Sequence, residues 1–170
     1  MRKAVKHIPT SFASLSDWDS HKPALNLAVT KGAIGSITEF GCGEGSTPML
    51  KALADSVGCN FFSYETNAEY AERYNATKMN DYNEIHLSDR EWKQSILFID
   101  LAPGEQRKEM IAKHANNAFV IVVHDTEPGA EYVYGMSEVL NSFKYRLDYE
   151  PVGKPHTAIV SNFINVTEWV

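Results

Sequence analysis

Apolar residues along this chain fall into two patterns: short dense blocks, and longer stretches in which they recur three and four positions apart. The blocks predict strands at Gly35–Phe40, Asn60–Glu65, Glu84–Leu87, Ser95–Asp100 and Ala118–Asp125. The last two blocks are apolar until they end in acids, as expected of central strands buried on both faces. Helical spacing occupies the intervals. Asp17-Trp18-Asp19-Ser20 leads a helix with Pro23 in its first turn, which runs through Leu25, Leu27 and Val29 to a stop at Gly32. A second helix carries Met49, Leu50, Leu53 and Val57 and ends at Gly58, with Thr47 as its N-cap and Pro48 at its first position. Further helices are predicted over Asn67–Met79, Glu105–Asn116 and Glu131–Phe143. Residues 1–16 have no regular pattern.

The rhythm changes at the end. Lys144–Glu150 and His156–Phe163 read as strands joined by Pro151-Val152-Gly153-Lys154-Pro155, too short for a helical crossover, so they pair antiparallel. Five strand–helix units and a closing hairpin predict an α/β fold. It is a doubly wound, seven-stranded, mostly parallel sheet with an antiparallel terminal hairpin. With 170 residues and 44% hydrophobic content, a single domain over 1–170 is expected.

The first strand runs into Glu39-Phe40-Gly41-Cys42-Gly43-Glu44-Gly45-Ser46-Thr47-Pro48. A strand, a glycine turn and a helix N-terminus leave backbone N–H groups with no side chains in the way, which suits a nucleotide-like ligand. The spacing excludes two familiar choices. A dinucleotide fingerprint would need glycine where Ser46 stands, and a P-loop would need a lysine that the turn lacks. The run is E-x-G-x-G-x-G, and it resembles motif I of the class I S-adenosylmethionine (SAM) methyltransferases. That resemblance implies a Rossmann-like sheet of strand order 3-2-1-4-5-7-6 over about residues 20–163. It also implies SAM as cofactor, with Gly41, Cys42, Gly43, Gly45 and Ser46 against its amino-acid end and Glu39 helping to hold the ammonium. An acidic loop, with Glu39 and Glu44, fits a cationic ligand better than a pyrophosphate.

Polar residues end the other predicted parallel strands as well, where ligands of open sheets sit. Glu65 falls about twenty residues beyond the glycines, where an acid accepts hydrogen bonds from ribose hydroxyls; its alternative is a helix-capping acid. By the same resemblance Ser88 and Asp89 take the adenine-contacting place, with Trp92 over the base or in the core. Asp100 and Asp125 stand where metal-dependent O-methyltransferases similar to catechol methyltransferase hold a divalent cation, and Glu127 adds a third oxygen. Mg²⁺ bound there would lower the acceptor's pKa. Two departures favour Asp100 contacting SAM or the acceptor without metal. Thr126 replaces the family's second acid or amide, and Asp100-Leu101-Ala102-Pro103-Gly104-Glu105-Gln106-Arg107 matches the D-x-x-P-G-x-x-R loop of small bacterial and carbohydrate-directed methyltransferases. His124 is either a general base, since histidine titrates near neutrality, or a structural hydrogen-bonding group. The catalytic candidates are thus Asp100, His124 and Asp125. Arg107 pairs Asp100 or Glu105, meets an acidic substrate, or is a solvated charge. Trp18 is an anchor of the first helix or, with His21, part of a wall over the ligand. Tyr132, Tyr134, Tyr145 and Tyr149 line an acceptor site or are scattered.

A net charge of -6, without a basic cluster, gives no pull toward nucleic acid or anionic membrane. Cys42 and Cys59 have neither zinc spacing nor a disulfide framework, so a reducing, cytoplasmic setting is expected. No apolar run reads as a signal peptide or membrane span. The leading expectation is methyl transfer from SAM to an oxygen, less so a nitrogen, of a small-molecule or sugar acceptor. The Asp-Leu-Ala-Pro sequence after the fourth strand lacks the clamp of base-methylating DNA enzymes. A core with so little added to it must draw its acceptor site from the N-terminal segment, the loops after Asp100 and Asp125, or a second subunit of a homodimer. The competing expectations are a non-catalytic SAM- or nucleotide-binding regulatory module and a small NAD-linked reductase.

Overall fold

In a computed structural model, residues 6–7, 16–32, 35–85 and 93–170 are described, the first pair for its backbone alone. Eight strands form one sheet. They are β1 (Lys6–His7), β2 (Ser36–Phe40), β3 (Asn60–Glu65), β4 (Thr77–Lys78), β5 (Ser95–Ile99), β6 (Val120–His124), β7 (Tyr145–Tyr149) and β8 (Thr157–Ser161), in the order β1-β7-β8-β6-β5-β2-β3-β4. Read from β4, the first seven reproduce the 3-2-1-4-5-7-6 order. β8 runs antiparallel to both β6 and β7, and the remaining pairings are parallel. The two-residue β1 adds an edge beyond the expected seven.

Side chains alternate between the faces of the central strands, as the period of two requires. Ile96, Phe98, Val120, Val122 and Ile159 join a core under α1 (Lys22–Gly32) and α2 (Thr47–Val57). Leu97, Ile99, Ile121, Val123 and Val160 join a second core with Met110, Ile111 and Leu140 on the other side. Those three residues come from α4 (Gln106–His114) and α6 (Ser137–Ser142); α3 (Ala68–Tyr74) follows β3, and α5 (Glu131–Tyr134) precedes α6. Among the described residues no helix is long and apolar enough to cross a membrane.

Three expectations are corrected. The helix predicted over Asn67–Met79 ends at Tyr74 with Asn75 left-handed (φ 53°), and the outer parallel strand is Thr77–Lys78. Of the strand predicted at Glu84–Leu87, Glu84 closes a 3-10 turn, while His86 and Leu87 lie outside the described residues. The helix predicted over Glu131–Phe143 is two short ones, broken at Gly135, whose φ of 58° ends α5.

The chain leaves β2 for β3 and β4 on one side, then returns to β5 and β6 on the other. That reversal opens a crevice beyond the carboxyl ends of β2 and β5. Gly41 makes the exit from β2 with φ 87°, and a Cβ there would collide with the carbonyl oxygen of Asp100. Only glycine lets the two loops pass this closely.

Candidate active site

Beneath the glycine turn, Glu39 is fully buried. Its carboxylate accepts hydrogen bonds from Ser46 Oγ at 2.5 Å, Thr47 Oγ1 at 2.9 Å and Ser63 Oγ at 2.7 Å. Thr47 Oγ1 in turn accepts from the Gly43 N–H at 2.9 Å. The two residues that open α2 therefore turn their hydroxyls inward. Thr47 is the first helical residue, not the N-cap, and Ser46 in the cap position makes no side-chain cap bond. Burial pushes the Glu39 carboxyl up from 4.5 to about 7 against the downward pull of the three hydroxyls, with the Asp100 charge adding to the rise. In this arrangement the group braces the turn from within.

Glu65, at the end of β3, is buried and lines the cleft. Its Oε2 accepts from Cys42 N at 3.0 Å, and its Oε1 accepts from the N–H groups of Thr66 and Asn67, both at 2.7 Å. Thr66 Oγ1 also donates to Oε1, at 3.5 Å, so the remaining acceptor capacity lies on Oε2, enough for one ribose hydroxyl rather than a pair. The helix-capping alternative belongs to Asn67, whose side chain accepts from Glu69 N and Tyr70 N. Cys42 contributes its N–H; burial pushes its thiol up to about 12, leaving it inert.

At the other end of the cleft a guanidinium joins the acids. Arg107, from α4, donates Nη2 to Asp100 Oδ1 and Nη1 to Asp125 Oδ2, each at 2.8 Å. Its Nε donates to the Leu101 carbonyl at 3.1 Å and Nη1 to that of His124 at 3.2 Å. Tyr134 covers the guanidinium, its ring centroid 4.5 Å from Cζ, and stands where a side chain at residue 104 would be, which accounts for Gly104. The D-x-x-P-G-x-x-R loop is thereby explained within the chain: acid and arginine pair, and the glycine admits the tyrosine. His124 Nδ1 lies 3.1 Å from Asp100 Oδ2, and its Nε2 lies 2.9 Å from Ser20 Oγ. Burial works against a charge on His124, but the hydrogen bond and charge of Asp100, with Asp125 behind, raise its pKa overall. Burial alone would raise Asp100 too; His124 and Arg107 outweigh it and hold the carboxyl below its usual range.

These groups share one cleft of about 1170 Å³, floored by Gly41–Ser46 and rimmed by Trp18 and Tyr134. It unites Gly41, Cys42, Gly43, Gly45, Ser46, Glu65, Asp100, His124 and Asp125. Glu39 and Glu127 do not line it. Ser88, Asp89 and Trp92 lie outside the described residues. Trp18 is no anchor, being 83% exposed at the mouth, while Tyr149 is core and Tyr132 points to solvent. The expected carboxylate set for Mg²⁺ does not fit. Arg107 already bridges Asp100 and Asp125, and Glu127 Oε2 accepts from the His156 N–H at 3.0 Å. As a general base His124 is poorly placed, with both ring nitrogens engaged inside the protein. Ser20 and Ser63 were not singled out in the sequence. Hydroxyl residues carry no chemical signal until the fold brings them to a partner.

No family model matches the sequence, and no curated protein does. Solved structures do match. A Klebsiella pneumoniae protein assigned as an O-methyltransferase aligns over 91% of this chain and 84% of its own, with TM-score 0.59 and 15% identity. The O-methyltransferase TomG of Streptomyces achromogenes, involved in tomaymycin synthesis and solved with SAM, aligns over 87% and 81%, with TM-score 0.57 and 16% identity. An O-methyltransferase from Bacillus cereus, solved with S-adenosylhomocysteine (SAH), aligns over 90% and 84%, with TM-score 0.56 and 15% identity. The chain therefore has the class I methyltransferase fold that its glycine run resembles.

A carboxyl that folding raises to about 7 stabilises the protein fully below its unfolded value of 4.5, and that contribution is lost as the pH climbs through about 7. Glu39→Gln, which cannot ionise, should gain melting temperature relative to the wild type between about pH 5 and pH 8. A difference that stays flat across that range would contradict the assignment. Replacing Arg107 by Met leaves Asp100 and Asp125 without their counter-charge and should cost about 3–5 kcal/mol in denaturant unfolding. Arg107→Lys should recover only part of it, because an ammonium cannot span both carboxylates in one plane. Equal stability of wild type and Arg107→Met would show that the pairs are not formed.

Proposed function

We propose that the chain is a SAM-dependent methyltransferase that acts on an oxygen of a small acceptor. The observation that carries this reading is the cleft at the sheet's switch point, floored by bare main chain from Gly41 to Gly45, with the Glu65 carboxylate aimed into it. SAM's nucleoside would lie toward Glu65, whose free capacity suits a ribose hydroxyl. Its methionine carboxylate would face the N-terminus of α2, where the helix dipole favours negative charge. Pockets for small ligands are commonly about 300–1,000 Å³, so a cleft of about 1170 Å³ has room for a cofactor and an acceptor together.

SAM supplies an electrophilic methyl on sulfur, and the protein's part is to align a nucleophile behind it and exclude water. The acceptor end is set by the Arg107 network. Arg107 fixes Asp100 and Asp125 in place, Asp100 orients His124, and Tyr134 walls the site. Asp125 Oδ1 is the more available base: it lies 3.4 Å from His124 Nδ1, whereas Oδ2 is held by Arg107 at 2.8 Å. A left-handed backbone at Asp125 (φ 57°) directs that side chain and is a strain of the kind found at functional sites.

A second reading, a SAM-binding module without transfer, is favoured by one observation: Asp100 and both nitrogens of His124 are engaged by protein partners. One experiment separates the two. Calorimetry with SAM should give a saturable signal that Glu65→Ala weakens at least about tenfold, the loss of a charged hydrogen bond. Asp125→Asn should keep that affinity while losing transfer of labelled methyl to small phenols and sugars. No heat at millimolar SAM would contradict both readings, and undiminished transfer in Asp125→Asn would remove Asp125 from the reaction.

A further inference from the structure

One buried group is left unused by that account. His21, at the entry to α1, is 3% exposed, yet neither ring nitrogen has a hydrogen-bond partner among the described residues. A neutral imidazole sealed in this way loses its hydration without recompense. Its ring packs edge-on against that of His124, centroids 4.9 Å apart, and lies tilted by 40° against that of Phe98 at 5.2 Å. It also lines the cleft. One ring nitrogen of His21, one of His124 and a carboxylate oxygen of Asp100 all lie within 4.8 Å of one another.

We propose that His21, His124 and Asp100 bind a divalent transition-metal ion of the zinc type on the wall of the cleft. The site is independent of the SAM reading and differs from the carboxylate set that Arg107 closes. The atoms that would not touch the ion are already held from outside. Arg107 holds Asp100 Oδ1, and Ser20 Oγ, which donates to the Asp17 carbonyl at 2.9 Å, sits on His124 Nε2. Asp100 Oδ2 and His124 Nδ1 are left facing each other at 3.1 Å. Outer partners that orient a ligating histidine and its carboxylate in this way are the usual support of a metal site.

Bonds of about 2.0–2.1 Å set neighbouring ligands roughly 3–4 Å apart around one ion. Asp100 and His124 already meet that spacing at 3.1 Å, and a shift of the His21 side chain completes it. That movement breaks no hydrogen bond to any of the described residues. Two imidazoles and one carboxylate favour Zn²⁺, Co²⁺, Ni²⁺ or Fe²⁺ over Mg²⁺ or Ca²⁺, and the open cleft side leaves a position for water or a ligand oxygen. The ion displaces the proton shared between Asp100 and His124. Once that proton has left, Asp100 and Asp125 carry one more charge than Arg107 returns, so the cation sits in a net negative site.

The test uses the full chain, stripped with chelator and free of SAM. Titration with Zn²⁺ should show one site of micromolar or tighter affinity, and Co²⁺ should give visible d–d absorption. His21→Ala and, separately, His21→Gln should weaken binding at least about tenfold, with unchanged circular dichroism, while His156→Ala leaves it intact. Absence of saturable binding below about 1 mM, affinity unaffected by either His21 variant, or loss in His156→Ala with retention in His21→Ala would each overturn the site. None of these outcomes touches SAM binding, which is measured without metal.

Discussion

One carboxylate, sealed under the first turn of α2, sets the shape of the cleft. Glu39 is the only charged group of β2, and three hydroxyls converge on it from the start of α2 and from β3. Through Thr47 it also reaches the Gly43 N–H. The turn is thus pinned from below while its upper surface stays bare. Gly41 hugs the Asp100 loop, whereas a side chain at Gly43 would meet nothing within 4 Å. Had Glu39 pointed into the cleft, the turn would have lost its anchor. A buried carboxylate is costly unless hydrogen-bonded, and here the bonds that satisfy it also build the floor.

The two ends of the cleft follow different physics. At the Glu65 end, shape comes from main chain, whose N–H groups are fixed by the sheet and by the acid itself. At the Arg107 end it comes from side-chain charge. One guanidinium bridges two acids from the ends of β5 and β6 and ties down two carbonyls, which offsets the repulsion between the acids as they face the cleft. This internal cation occupies the space between the two acids. It makes the Asp100–Asp125 pair rigid, and it leaves the nitrogen-rich corner at His21 as the place where an ion fits.

The central strands were legible because β5 and β6 must be apolar on both faces, which gives short, nearly unbroken apolar runs. The glycine run and Glu65 were legible because backbone approach and a strand-end acid are local properties. β4 was not: Thr77 and Lys78 are polar and exposed, so nothing separates them from a helix's last turn. Partnerships at long range were also hidden. Ser63 lies 24 residues from Glu39 and Ser20 lies 104 from His124, and only the fold brings them together. The loop motif around Asp100 pointed to Asp100 and Arg107, but Arg107's reach to Asp125 depends on the β5–β6 pairing.

The claim on which this account rests is that the main chain from Gly41 to Gly45 receives a sulfonium nucleoside or its product. Backbone amide NMR during titration with SAH reads that surface directly. Saturable shifts concentrated at Gly41, Cys42, Gly43, Gly45 and Glu65 are the predicted result. Amides there that stay in place at millimolar SAH, or shifts confined to another face of the sheet, would contradict it.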